Sequence, residues 1–307
     1  MEHIYDVVII GGGPGGYSAA LYSTRTGFDT LVIEKMLPGG QMNETTQIDN
    51  YPGFNEGIDG YSLGEKMKLG AEKFGVKTIF EEVKEVELTE KIKKIKTENG
   101  DYLGKTVVIS TGANHRQLNI EKEYFYLGKG LAYCATCDGM FFKNKVVAVV
   151  GGGNSAAADA LYLSKIAKKV YLIHRRDALR ATKIYSDELM KTENIEFIWN
   201  CVVENLLGEQ KLTGIEVKNL QNQQISTVEL DGLFVSIGRN PATELVNGQV
   251  DLDANGYIIA DESTRTNIPG VFAVGDVRTK ALRQIVTAAS DGAVASVYIE
   301  EYLLHNK

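Results

Sequence analysis

Hydrophobic and polar positions write the same plan twice along this chain. Tyr5 to Ile10 is a β-branched apolar run, the pattern of a buried strand, and it stops at Gly11-Gly12-Gly13-Pro14-Gly15-Gly16. A helical stretch follows with Ala19, Ala20 and Leu21 on its apolar side, then an apolar strand from Thr30 to Ile33 that closes at Glu34. The order returns later. Lys145 to Val150 reads as a strand, Gly151-Gly152-Gly153-Asn154-Ser155-Ala156 as a turn, a helix runs through Asp159, Leu161 and Leu163, and Val170 to Ile173 is the next strand. Strand, glycine turn, helix and strand open a nucleotide-binding fold, so the repetition predicts two of them.

Each copy continues with alternating texture. Val83 to Leu88 and Ile92 to Lys96 alternate as an antiparallel ribbon does, with Asn99-Gly100 as a tight turn. Val202 to Leu206, Ile215 to Asn219 and Val228 to Leu230 repeat it. Each copy then closes on a buried strand, Val107 to Thr111 before Gly112 and Leu233 to Ile237 before Gly238. The strand ending in Gly275-Asp276 and the long helix from Gln284 to Leu304 lie outside the second copy, which a first domain completed by a C-terminal return explains. The expected fold is α/β, with two Rossmann-like nucleotide-binding domains of three-layer ββα type, the second inserted into the first. Residues 1–113 and 241–307 would form one domain and residues 114–240 the other.

Composition narrows the classes. With 307 residues, 44% of them hydrophobic and 24% charged, the chain can bury a sizeable core without disulfides. A net charge of −7 repels phosphate backbones, so nucleic acid is not an expected partner. The run Lys91-Ile92-Lys93-Lys94 alternates, and is expected to be a solvated strand face. There are 3 cysteines, not the even framework of a small secreted domain. The N-terminus has no signal-peptide pattern and no stretch reads as membrane-spanning, so a cytoplasmic protein without a membrane partner is expected. In that compartment a CxxC is more often catalytic or metal-binding than structural.

Three constellations carry chemistry. Gly11, Gly13 and Gly16 fit G-x-G-x-x-G, which lets a pyrophosphate approach the backbone at a helix N-terminus, and Glu34 lies where an acid takes a ribose hydroxyl. Gly39-Gly40-Gln41 and Gly275-Asp276 are additions that a nicotinamide site does not need. Asp276 can bind a ribityl hydroxyl, and the helix starting near Gln284 presents free N–H groups to a reduced flavin, so this site is read as FAD. Gly151, Gly153 and Ala156 repeat the fingerprint. Here His174-Arg175-Arg176, with Arg180 beyond, replaces the acid, and guanidinium groups there can hold a 2′-phosphate, so the second site is read as NADPH. Between the fingerprints lies Cys134-Ala135-Thr136-Cys137-Asp138. A zinc site would need about four ligands, and Cys201 with 4 scattered histidines does not supply them, so a redox dithiol is expected. Asp138 can move protons for a departing thiol, and Cys201 is expected to be an inert core thiol.

With these residues in place the chain resembles the low-molecular-weight, bacterial-type thioredoxin reductases over essentially its whole length. The resemblance is carried by Gly11–Gly16, Gly39-Gly40-Gln41, Asn50-Tyr51-Pro52-Gly53, Cys134–Gly139, Gly151–Ala156, His174–Arg180, and Gly275-Asp276 with Arg283-Gln284. It implies a homodimer with FAD in each subunit, NADPH as electron source, and thioredoxin as the partner reduced by a Cys134–Cys137 disulfide. Cys137 would face the flavin, Cys134 would attack thioredoxin, and Asp138 would donate the proton. The implied FAD site adds Pro14, Lys35, Gly40, Gln41, Asn50, Thr111, Gly112, Arg283, Gln284 and Ile285; the implied NADPH site adds Asn154, Ser155 and Asp159. The resemblance also implies an inserted domain that swings between two orientations, and a Met140-Phe141-Phe142 docking segment. Asp159 stands where glutamate is commoner, Ser290 where glycine is usual, and Gly15 where alanine is common. Two related alternatives are a peroxiredoxin-linked flavoprotein, which carries an extra N-terminal region, and a ferredoxin-dependent reductase, which has lost the NADPH motifs. A redox-sensing binding protein without turnover is the alternative from another class.

Overall fold

Alternation along single strands decides the layering. In a computed structural model of the chain the described residues are 3–45 and 47–306; Met1 and Glu2, at the front of the first expected domain, lie outside them, as do Thr46 and Lys307. In strand Ile4–Ile10, Val7 and Ile9 face one side of the sheet and Val8 and Ile10 the other, and all four are buried. Val7 and Ile9 pack with Val32, Val108 and Phe272 beneath helical residues Ala19, Ala20, Ala71, Ala295 and Ile299. Val8 and Ile10 pack with Leu31, Ile33, Val107 and Ile109 beneath ribbon residues Val83, Val86 and Ile95. Burial on both faces is what a strand between a helical layer and a ribbon layer requires.

The chain divides into two compact units, Met1–Asn114 with Asn240–Lys307, and His115–Arg239. In the first, Lys77–Phe80, Thr30–Glu34, Ile4–Ile10 and Asp101–Ile109 are neighbours in a parallel sheet, joined by Val271–Ala273 against Val107–Ile109. Helix Pro14–Arg25 crosses helix Ile285–His305 at small residues. A Cβ on Gly292 would lie 2.2 Å from Gly15 O and 2.6 Å from Ala19 N, so the two backbones are in contact. At Gly15 a Cβ would meet Val274 Cγ2 at 3.1 Å and Ala288 O at 3.2 Å, a tight fit that suits the absence of a side chain.

In the second unit the order is Ile195–Trp199, Lys169–His174, Val146–Val150, Gly232–Val235 and Leu131–Ala132, all parallel. Val147, Val149, Val170 and Leu172 face Ala156, Ala160 and Leu163 of helix Asn154–Ser164. Ala148, Val150 and Ile173 face Val203, Ile215 and Val217 of an antiparallel ribbon. The mixed α/β architecture with parallel sheets and the ββα layering follow the expected class.

The expected tight turn at Asn99-Gly100 joins Lys93–Thr97 to Asp101–Ile109, and the Thr97 N–H donates to Gly100 O at 2.9 Å. Several local expectations are corrected. Asp101–Ile109 is one strand, antiparallel to the ribbon in its first half and parallel to the central sheet in its second, so ribbon and closing strand are continuous. Closing strands end at Ile109 and Val235, earlier than expected. Lys93 is not solvated: it is buried beside Ile95, its ammonium bonded to Glu90 O and pushed down by burial. Lys94 and Lys96 take the outward face, paired with Asp101 and Glu87 at 2.6 Å each. The apolar run around Cys201 is two strands, because Asn200 adopts φ 55° and ends Ile195–Trp199 before Cys201–Leu207 begins. Helices Gly60–Glu72 and Lys183–Lys191 and strand Lys77–Phe80 are not among the expected elements.

Candidate functional site

The glycines of the first turn divide the work by geometry. Gly11 has φ +103°, and a Cβ there would lie 2.4 Å from Ser110 O; a Cβ on Gly16 would lie 2.0 Å from Gly11 O. Both therefore serve backbone packing. Gly13 differs: nothing stands within 4 Å of its Cβ direction, so it opens on the space a pyrophosphate would occupy at the start of helix Pro14–Arg25. Glu34 braces this turn, accepting the N–H groups of Gly12 at 2.6 Å and Met36 at 3.1 Å.

Other candidates gather around it within the first unit. Gly39 N–H donates to Gly12 O at 2.8 Å, which brings Gly40 to the open glycine: a Cβ on Gly40 would be 3.7 Å from Gly13 Cα. Gln41 Nε2 donates to Ala113 O. Asn50, beside an open hollow lined by residues 49–55, donates to Gln284 Oε1 at 3.1 Å. Thr111 Oγ1 donates to Ala242 O at 2.6 Å, and Gly112, at φ +74°, accepts the Ala242 N–H at 3.0 Å. Lys35 is exposed and held by Glu82 at 2.7 Å. The helix N-terminus at Gln284 and Ile285 is less free than expected. A capping box ties the Gln284 N–H to Thr287 Oγ1 at 3.1 Å and the Thr287 N–H to the Gln284 side chain.

One group of residues escaped the sequence reading. Asp291, buried on the last helix, accepts the Gly275 N–H at 2.8 Å, two bonds from the Arg278 guanidinium at 2.9 and 2.7 Å, and one from Lys280 at 2.8 Å. Burial opposes its charge, but the bonds and charges of Arg278 and Lys280 prevail and hold the carboxyl below its ordinary value. Asp291 thus fixes the turn that presents Asp276. Arg283 completes the frame, stacked 3.9 Å over Tyr257 and donating to the Asp276 and Arg278 carbonyls. The available signal was a carboxylate among small residues on a buried helix face, with two cations in the preceding loop.

The second turn reproduces the first. A Cβ on Gly151 would be 2.3 Å from Ser236 O, Gly153 opens on unfilled space, and Ala156 is fully buried. The Gly151 N–H donates to Ile173 O at 3.0 Å, as Gly11 does to Ile33 O at 2.9 Å. The position held by Glu34 in the first copy belongs here to His174, whose ring lies against Gly152; a Cβ there would be 2.1 Å from His174 Cε1. Burial, reinforced by the charges of Arg180, Arg175 and Arg176, pushes the imidazole below its ordinary pKa. His174 is therefore a buried wedge beneath the turn, next in sequence to the guanidinium groups of Arg175 and Arg176. Arg175, Arg176 and Arg180 are exposed. The Arg180 N–H donates to Gly152 O at 2.7 Å and the Thr182 N–H to Asn154 Oδ1 at 2.8 Å, so the arginine loop folds onto the glycine turn. Ser155 is exposed in the first helical turn. Asp159 is bonded to Ser236 Oγ, and its carboxyl is raised chiefly by burial.

Cys134 and Cys137 form a disulfide, with Cα atoms 5.3 Å apart. Cys134 caps the short helix Ala135–Asp138, its sulfur accepting the Cys137 N–H at 3.2 Å. Burial pushes Asp138 up to about 6, where a carboxyl can both hold and release a proton near neutral pH. Met140 and Phe141 are exposed, while Phe142 is buried edge-on against Phe234 at 5.2 Å, so the expected docking segment splits between surface and core. Cys201 is buried and its thiol raised by burial, an inert core position.

Comparison with known proteins agrees with this geometry. The family model described as pyridine nucleotide-disulphide oxidoreductase matches residues 5–292. A thioredoxin reductase of Listeria monocytogenes serovar 1/2a is 45% identical over 303 residues, 98% of this chain and 95% of that protein. The chain belongs to the low-molecular-weight thioredoxin reductases of the pyridine nucleotide-disulphide oxidoreductase family. The crystal structure of the Streptococcus pyogenes MGAS5005 thioredoxin reductase superimposes with a TM-score of 0.93 at 43% identity, over 99% of this chain and all of that one. A ferredoxin-flavin thioredoxin reductase from Clostridium acetobutylicum is more distant, at 28% identity and a TM-score of 0.54 over the full length of both chains. As a member of the thioredoxin reductases this chain is a flavoprotein oxidoreductase with FAD and NADPH as its cofactors. The residues present fit both groups, since each turn keeps its middle glycine open and the second adds three exposed guanidinium groups.

Proposed function

We propose that the protein reduces oxidised thioredoxin at the expense of NADPH, with Cys134 and Cys137 as the exchanging pair. The observation that carries this reading is a closed Cys134–Cys137 disulfide beside a half-buried Asp138, in one chain with two dinucleotide turns. Bound NADPH and FAD supply the electron pair that opens the disulfide. The Cys134 thiolate then attacks the partner's disulfide and expels one of its thiolates, giving a mixed disulfide. Cys137 attacks Cys134 Sγ, re-forms the internal disulfide and releases the second thiolate, and Asp138 supplies a proton in this exchange. FAD is assigned to the unit of residues 1–113 and 241–307 and NADPH to residues 114–240. Met140 and Phe141 are assigned to thioredoxin docking. A homodimer in the cytoplasm completes the reading; no helix among the described residues is long and apolar enough to cross a membrane.

Steady-state thioredoxin reduction with NADPH and with NADH tests the assignment. Arg175→Ala with Arg180→Ala is expected to raise the NADPH KM about tenfold or more and to spare NADH, because only NADPH carries the phosphate they would hold. Equal losses with both nucleotides would contradict the arginine roles.

Asp138 gives a pH prediction. Its folded pKa lies above the ordinary aspartate value, so the acid form is available below about 6 and is lost as pH rises through that value. Thioredoxin turnover should fall along this limb, and Asp138→Asn should slow turnover about a hundredfold and abolish the inflection. The same shift means that stability falls as pH rises from about 4 to about 6, so Asp138→Asn should raise the Tm at pH 8 and leave it unchanged at pH 3.

A further inference from the structure

Tyr133 is the one residue between strand Leu131–Ala132 and the Cys134 cap, and contacts within the second unit hold it from two sides. Its hydroxyl donates to Glu123 Oε1 at 2.6 Å. Its ring stacks on His115, with centroids 4.8 Å apart and planes 16° from parallel. Glu123 is a firm anchor: it is buried, and its oxygens accept the Leu118 and Asn119 N–H groups at 2.9 Å each. His115 ends strand Ala113–His115, the passage into this unit. Burial, with the charge of Arg239 beside it, pushes the imidazole down to about 3, so it stacks as a neutral plate at any working pH.

We propose that Glu123, Tyr133 and His115 are positioning residues for the dithiol. They fix the backbone that enters Cys134, and so keep its sulfur where it accepts the Cys137 N–H. That N–H favours the thiolate form of Cys134 once the disulfide is open, which makes Cys134 the more reactive member of the pair. Loss of the stack removes one of the contacts that hold Tyr133 and lets the cap drift. The inference rests on the proposed role of Cys134 as the attacking thiol.

The test uses the FAD-loaded protein reduced with dithiothreitol, pulse-labelled with iodoacetamide and read by mass spectrometry as the ratio of Cys134 to Cys137 labelling. His115→Ala should lower the ratio about two- to tenfold, the range that an aromatic pair's coupling corresponds to. His115→Phe should restore it, because the stack is rebuilt without the imidazole. Tyr133→Phe keeps the stack, loses the bond to Glu123 and should fall between. A ratio unchanged in His115→Ala, with FAD content and Tm retained, overturns the proposal; if that variant does not fold, an unchanged ratio in Tyr133→Phe does so. Dithiothreitol supplies the electrons, so the ratio is independent of nucleotide use. Failure of the unaltered protein to reduce thioredoxin would instead count against the proposed function.

Discussion

Cys134→Ser and Cys137→Ser are each expected to lower NADPH-dependent thioredoxin turnover by more than about a thousandfold, while flavin bleaching by NADPH persists. The physical reason is that neither sulfur acts alone. Cys134 without Cys137 can form a mixed disulfide but has no resolving thiol, and Cys137 without Cys134 has no thiol that opens the partner's disulfide. The two are one unit with Cα atoms 5.3 Å apart, so the double variant should be no slower than either single one. Retained bleaching in all three variants separates loss of the exchange step from loss of either cofactor. A single serine variant with more than a tenth of the parent turnover would remove the dithiol from the centre of the scheme.

Asp291→Ala is expected to cost about 3–5 kcal/mol of stability, because it breaks a buried ion-pair network. Arg278 and Lys280 both end on this carboxylate and are even more buried than it is, so its removal strands two cations away from water. The Gly275 N–H also loses its acceptor, and the turn presenting Asp276 loosens. FAD affinity measured by titration of the apoprotein should fall together with Tm. The pH dependence has a definite sign. Asp291 is held below its ordinary pKa, so its contribution is present above about 4 and is lost as pH falls through the lowered value. A denaturation midpoint that stays flat in acid, or an alanine variant as stable as the parent, would show that the network carries no weight.

The contrast between Gly13 and Asp291 explains how much of the site was legible before the structure. Gly11, Gly13, Gly16 and their second copies announce themselves because a tight turn and close backbone approach exclude side chains, a constraint that acts within six residues. The layering was legible in outline, because a continuous apolar run such as Val7 to Ile10 needs cover on both faces. Partnerships across long sequence separations left no local mark. Nothing near Glu123 points to Tyr133, and nothing near Asp159 points to Ser236. Lys93 reads as solvated because its neighbours are, yet its register with Ile95 turns it inward. His174 reads as one more basic residue in a phosphate loop, whereas the equivalence with Glu34 that buries it appears only when the two turns are superposed in space. Asn200 was hidden in an apolar run because a single residue at positive φ separates two strands without changing composition.

The central claim is that electrons from NADPH reach one sulfur pair through a bound flavin, and anaerobic titration of the purified yellow protein with NADPH tests it most directly. The account predicts that the flavin bleaches and that about two NADPH per chain are consumed, one for each two-electron couple. Oxidised thioredoxin should then restore the yellow colour. A protein that is colourless as isolated, or one whose flavin bleaches yet stays reduced when oxidised thioredoxin is added, would contradict it.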